Sequence, residues 1–414
     1  MGHFTAEAIA PDIQPVVNSD ELVDINWPLE EIASDQFQIA GGWGGGTFVG
    51  SVGVTLNNLS IKNFFKKGAW RPYPMGQNQR LSISAQTNGT YYKAFAISFT
   101  DPWMGGRKPN SFTISAHYSD ENNAYYAWQK GTRYFRTAGV AAGLGKRLDW
   151  PDPYFTFYAE ASYERYMLKD WNTFVLKNGA ANLLSIRLVL GRNSVDQPIY
   201  PRRGSDFSVS VQLTPPYSLW DGKDYKSTAL SEQERYNWIE FHKWMLKGQW
   251  FTPLTRNGNL VLMARAEMGY LGHYNKNKVS PFERFEVGGD GMTGYNMYGI
   301  DIISMRGYDD GALDPVGSNY SCAYNKYTME LRYPLLLKGQ TNIYVLGFLE
   351  GGNGFTSWKE FSPFKIKRSA GIGVRLFLPV VGMVGVDWGW GFDPAAGQTK
   401  RSGSHIHFTM GMQF

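Results

Sequence analysis

From Phe37 to the C-terminus the chain repeats one theme, a run of alternating apolar and polar or small residues closed by a cluster of Pro, Gly, Asn or Asp. The pattern is clearest near the end. There Ala370, Ile372, Val374, Leu376 and Leu378 alternate with Ser369, Gly371, Gly373, Arg375 and Phe377, and Val384, Val386, Trp388 and Trp390 alternate with Met383, Gly385, Asp387 and Gly389. Ile406, Phe408, Met410, Met412 and Phe414 form a last run that ends on its apolar face. Earlier runs hold Leu81, Ile83 and Ala85, then Phe95, Ile97 and Phe99, and further on Leu184 to Leu190, Phe207 to Leu213 and Leu262 to Met268. Period-two alternation of this kind predicts strands with two unlike faces. About sixteen such runs can be counted, an even number as single-chain bacterial barrels have.

The connections separate a membrane barrel from a soluble sandwich, which would alternate too. Every second one is mostly short, namely DPWMGG, LDWPDPY, PLTRNGN and LPVVG, whereas Pro215 to about Tyr236 and Gly272 to about Asn325 are long. Short turns at one end and long loops at the other are the habit of outer-membrane barrels. The expected fold is therefore all-β, a 16-stranded antiparallel transmembrane β-barrel over residues 35–414. Because a bilayer tolerates no unpaired edge, the first strand near Phe37 is expected to meet the last near Phe414.

Residues 1–34 break the pattern. They are acidic, with Asp20, Glu21, Asp24, Glu30 and Glu31, and hold a short candidate strand in LVDINWPL. They read as the tail of another domain. The opening MGHFTAEAIAPD has neither the basic nor the apolar region of a secretory signal, so the chain is expected to be part of a longer protein.

Composition supports β structure: the 414 residues include 47 Gly, 25 Tyr, 25 Phe and 14 Trp. A membrane helix needs about 18 consecutive apolar residues, and the most apolar stretch, Leu376–Val386, is broken by Pro379 and Gly382. The net charge of +5 comes from scattered basic residues, which points away from nucleic acid and suits an anionic lipid surface. With Cys322 alone, no intrachain disulfide can form.

Candidate chemistry is sparse. GGWGGG at 41–46 and AAGLGK at 141–146 lack the strand-loop-helix setting of a phosphate cradle. Gly41, Gly42, Gly44, Gly45 and Gly46 instead cost about 0.5–1 kcal/mol each in a strand and offer no side chain to pack. Two readings stay open: a weak closing seam, or a tight turn with bulges. His405 and His407 share a strand face without a third ligand, and Ser115 and His117 are among many polar lumen candidates. Asp309, Asp310 and Asp314 in YDDGALDP lack the alternate ligands and terminal Glu of a calcium loop. No cofactor, metal or catalytic residue is expected. The compact SMRGYDDGALDP within the longest loop stands out, because Glu330, on the face of Thr328 and Arg332, and Glu350 lie where an Arg306 entering the lumen could meet them.

At these residues the chain resembles the BamA family over nearly its whole length. SMRGY is similar to that family's VRGF loop motif, keeping Arg306 and Gly307 with Met305 for Val and Tyr308 for Phe. FQIAGGWGGG resembles the opening barrel strand, TDPWMGG the second inner turn, and RSAGIGVRLFLPVVGMVGVDWGWGF the penultimate strand pair. IHFTMGMQF resembles the terminal strand by which barrels are recognised for assembly, and residues 1–34 resemble the close of the last polypeptide-transport-associated (POTRA) domain, an α+β unit.

The resemblance implies a non-enzymatic factor of the bacterial outer membrane, its N-terminal part periplasmic, that inserts other β-barrels. It implies that Arg306, Gly307 and Tyr308 tuck into the lumen against Glu330 and Glu350, the latter in place of the usual Asp. A lateral seam would lie between Phe37, Ile39, Gly41, Gly42, Gly44 and Gly45 on one side and Phe408, Met410, Gly411, Met412 and Phe414 on the other. The implied partners are unfolded outer-membrane β-barrel proteins, BamD-like accessory lipoproteins and outer-membrane lipids. Alternatives are a two-partner secretion type transporter, a passive porin and, further off, a lipid-modifying barrel enzyme.

Overall fold

The structure, a computed structural model, describes residues 11–15, 23–26, 35–44, 47–70, 72–106, 108–123, 131–290, 299–317, 320–338, 341–378 and 382–410. Two short strands, β1 (Asp12–Pro15) and β2 (Val23–Asn26), pair antiparallel, and β2 stands exposed. A single antiparallel sheet of sixteen strands follows. Its members are β3 (Gln36–Gly44), β4 (Thr47–Leu59), β5 (Gln79–Thr87), β6 (Tyr92–Asp101), β7 (Asn110–Asn122), β8 (Tyr134–Arg147), β9 (Phe155–Lys169) and β10 (Gly179–Asn193). The second half is β11 (Gly204–Leu213), β12 (His242–Pro253), β13 (Val261–Gly272), β16 (Ala323–Lys338), β17 (Thr341–Phe355), β18 (Lys367–Leu378), β19 (Gly382–Pro394) and β20 (Arg401–Met410).

Each strand pairs with its neighbours in sequence, save that β13 pairs directly with β16 across an insertion holding β14 (Arg284–Val287) and β15 (Ile300–Ile303). The end strands β20 and β3 approach one another, so the sheet curls into a barrel. Among the described residues no ladder joins them.

The alternation sorts as a membrane barrel requires. Ile372, Val374, Val386, Trp388, Ile406 and Phe408 point outward and are exposed, while Ser369, Asp387 and His407 between them are buried in the lumen. An outward apolar band with polar residues inside is the reverse of a soluble core. Among the described residues no helix is long and apolar enough to cross a membrane.

One end of the barrel carries the connections 102–109, 148–154, 194–203 and 254–260; the other carries 214–241 and 273–322. The expected asymmetry holds, with one departure, since β4 and β5 are joined on the short-turn end by the long segment 60–78.

The insertion between β13 and β16 is not a solvent loop. Phe282, Phe285, Val287, Ile300, Ile303, Met305, Tyr308 and Leu313 pack with Phe135, Tyr166, Leu168 and Leu183 of the barrel wall in one buried cluster. Tyr166 stacks on Phe282 with ring centroids 4.2 Å apart. The two strands of the insertion run parallel, which needs a crossover of about a dozen residues. This cluster anchors the chain on either side of the Arg306 loop.

Candidate functional site: a braced wall and an unlaced seam

After β15 the chain turns down into the lumen, with Met305 fixed by its N–H donating to Gly289 O at 2.8 Å. Arg306 then reaches the wall formed by β16 to β19. Its backbone N–H donates to Glu350 Oε2 at 2.8 Å, and its Nε and Nη2 donate to Glu350 Oε1 at 3.1 and 2.7 Å. Nη2 also donates to Glu330 Oε1 at 2.8 Å. The guanidinium lies 3.7 Å from the Phe348 ring centroid, a stacked cation on an aromatic floor.

The acids are themselves held. Glu330 Oε2 accepts from Arg332 Nε at 2.8 Å, and Glu350 Oε1 accepts from the Thr328 hydroxyl at 3.1 Å. Asp387 of β19, fully buried, is clamped by Arg375 through 2.8 and 2.7 Å bonds, and its Oδ2 lies 3.7 Å from Arg306 Nη1. Burying this many charges is tolerable because each is paired and oriented by a neighbour. Removing the central arginine would leave Glu350 with its hydroxyl and amine neighbours alone.

Gly307 explains its residue type twice. Its φ of +85° lies in the left-handed region, and a Cβ there would sit 2.8 Å from Ser369 Cβ and 3.1 Å from Gly391 N. The lumen-facing glycines of β19 supply the room. A Cβ on Gly389 would come within 2.8 Å of Gly307 N. Gly307 N–H donates to His407 Nε2 at 2.8 Å, so the loop also grips β20. Tyr308, wholly buried, donates its hydroxyl to Arg368 O at 2.8 Å.

The structure brings Arg306, Gly307, Tyr308, Glu330 and Glu350 together, and Glu350 takes the largest share of the arginine's bonds. Sequence reasoning missed Asp387 and Arg375, whose lone charges in the apolar and glycine-rich stretch 369–392 were the available signal. It also left His407 without a role; that histidine accepts from Gly307, while His405 Nδ1 lies 3.2 Å from Asp309 Oδ1.

The described seam residues fall on the two end strands of the sheet. Phe37, Ile39, Gly41, Gly42 and Gly44 belong to β3, whose register with β4 runs through Gly41↔Gly50, Gly42↔Val49 and Gly44↔Thr47. The glycines up to Gly44 are therefore strand rather than turn. Phe408 and Met410 belong to β20. Gly45, Gly411, Met412 and Phe414 lie outside the described residues, so the meeting expected at Phe414 does too. One backbone group of β20 is engaged by a side chain, as Phe408 N–H donates to Asp290 Oδ2 at 3.3 Å. A carboxylate from the inserted loop occupies a donor on the last strand.

Residues 75–414 match the family model of the Omp85 superfamily domain. The chain belongs to the Omp85 superfamily. Outer membrane protein assembly factor BamA of Neisseria meningitidis serogroup B is 23% identical over 354 residues, covering 80% of this chain and 36% of that protein, so the chain spans about a third of its curated relative's length. Among solved structures, BamA from Haemophilus ducreyi lacking POTRA domains 1–3 superposes with a TM-score of 0.62 at 17% identity, over 98% of this chain and 74% of that one. CdiB from Escherichia coli gives 0.57 at 12% identity, over 98% and 67%. At such identities the likeness carries the fold. Fold and family together place this Omp85 barrel in the bacterial outer membrane.

Proposed function

We propose that this chain is the membrane domain of a BamA-type factor that assembles and inserts β-barrel proteins through its β3–β20 seam. The observation that carries the reading is the seam itself, where two neighbouring strands share no ladder among the described residues and a β20 donor is engaged by the Asp290 side chain. Unpaired backbone groups at membrane depth cost several kcal/mol each. An incoming strand that adds to such an edge satisfies them by β-augmentation, and its next hairpin repeats the gain, so insertion runs downhill without a nucleotide.

In this reading Arg306, Glu330 and Glu350 are a brace that fixes the wall adjoining β20, and no residue is catalytic. Residues 1–34 are the end of a POTRA-like periplasmic domain. The partners are unfolded outer-membrane barrels and accessory lipoproteins of the BamD kind.

The test is a reversible lock. With Cys322→Ser as background, cysteine pairs are placed across 36–44 and 401–410, and a cross-linked pair is expected to stop assembly of other barrels until reduced. Assembly that continues with the lock verified on a gel would refute the gate. A two-partner secretion transporter would instead thread its cargo through the lumen, and the buried insertion there would have to leave first. Tethering that insertion to the wall by a second cysteine pair separates the two, since only the transporter is expected to fail.

A further inference from the structure

The long segment on the short-turn end, residues 60–78, is a folded unit. Ser60 N–H donates to Pro74 O at 2.8 Å, its hydroxyl to Gln77 Oε1 at 2.9 Å, and Asn63 Nδ2 to Met75 O at 3.0 Å. Ile61 N–H donates to Gln79 Oε1 at 2.9 Å. The Tyr73 hydroxyl donates to Asp35 Oδ1 at 2.6 Å, and Asn57 N–H reaches the same oxygen at 3.1 Å. Asp35 immediately precedes β3, so the segment is tied to the entry of the seam strand.

What this unit presents is an aromatic knob flanked by positive charge. Phe65 is 92% exposed, and Phe64 packs edge-on to it and to Trp70 with centroids 5.2 and 5.1 Å apart. The Trp70 indole donates to Phe64 O at 3.0 Å, so its ring needs no water partner. Lys62, Lys66 and Lys67, which flank Phe64 and Phe65 in the chain, are exposed, and no Asp or Glu occurs between 60 and 78. The neighbouring turns on this end expose Trp103, Trp150 and Tyr154, which mark the level where amphipathic rings meet lipid headgroups.

We propose that residues 60–78 form a lipid-binding finger: Phe64, Phe65 and Trp70 enter the acyl boundary of the periplasmic leaflet, and Lys62, Lys66 and Lys67 bind anionic phospholipid headgroups beside the seam. Apolar rings with surrounding lysines are the combination that binds an anionic interface, the rings through burial and each lysine through the surface potential. The finger brings lipid headgroups to the start of β3, the first strand of the sheet. The inference rests on the barrel being membrane-embedded and does not require the assembly function.

The full chain, carrying Cys322→Ser, is placed in nanodiscs with and without phosphatidylglycerol, bearing a nitrobenzoxadiazole label on either Phe65→Cys or Ile372→Cys. Ile372 is an outward residue of the apolar band and reports membrane embedding. The expected result is quenching of both labels by doxyl lipid. Quenching at position 65 should strengthen several-fold with phosphatidylglycerol and lose that gain in Lys62→Gln/Lys66→Gln/Lys67→Gln. A position-65 label that iodide reaches freely, and that ignores phosphatidylglycerol while the position-372 label is lipid-quenched, overturns the finger and leaves the knob to a protein partner. A position-372 label open to iodide would overturn the membrane placement itself, and the finger with it.

Discussion

Two walls of one barrel, made from the same alternating pattern, are held in opposite ways. Between β16 and β19 the strands run in long continuous ladders, and the lumen side is stitched by Arg306, Arg332 and Arg375 to Glu330, Glu350 and Asp387. Between β20 and β3, β3 is rich in glycine and no ladder is present among the described residues. The inserted loop touches both, gripping the braced wall with Arg306 and β20 with Asp290 and the backbone of Gly307. A barrel that opens at one place needs the rest of its circumference to stay closed, and the brace stands where that demand falls.

The largest effect is expected at the centre of the brace. Arg306→Ala strands Glu350 and half of Glu330 in a buried site, and a loss of about 3–5 kcal/mol is expected, because the remaining charges stay desolvated. Denaturant unfolding in detergent, read by the heat-modifiable shift of folded barrels on gels, measures it; Arg306→Lys should fall between, keeping the charge without the two-carboxylate fork. Gly307→Val combines a left-handed φ with a Cβ pressed on Ser369, and a cost of about 1–3 kcal/mol is expected, seen as protease entry into 304–317 while β16 and β17 stay protected.

Asp290→Ala acts on the other side of the comparison. It frees the Phe408 N–H for a net change of roughly 1 kcal/mol, and it should raise hydrogen exchange in β20 without altering β17. The smallest effect is a pH response of the inserted loop. Burial, with Glu286 adding to it and Ser321 opposing, pushes the Asp314 carboxyl up to about 8, and burial with Asp310 pushes Glu286 up to about 7. The folded loop therefore holds protons that the unfolded chain releases near pH 4. This contribution is complete below that point and is lost as pH rises through about 7 and 8. Protease sensitivity of 284–317 should increase from pH 6 to pH 9, and Asp314→Asn should flatten the profile.

Much of this was legible in the sequence, for stated physical reasons. Period-two alternation fixes which residues face lipid, so sixteen strands, their order and the outward Ile372 and Trp388 could be read directly. Arg306, Glu330 and Glu350 were legible because a charged residue in a membrane lumen needs a partner. The folded core of the insertion was not. Its apolar positions fall in two four-residue strands too short to stand out, and their parallel pairing depends on a distant wall. The Asp290 contact joins residues far apart in the chain and follows from no local pattern, and 60–78 has no alternation to read.

Backbone hydrogen exchange of the full chain in nanodiscs compares the β3–β20 seam, which has no ladder among the described residues, with the braced wall. The expected result is that amides of 36–44 and 401–410 exchange at least about tenfold faster than those of 323–338 and 341–355. Equal protection across the two regions would contradict the account.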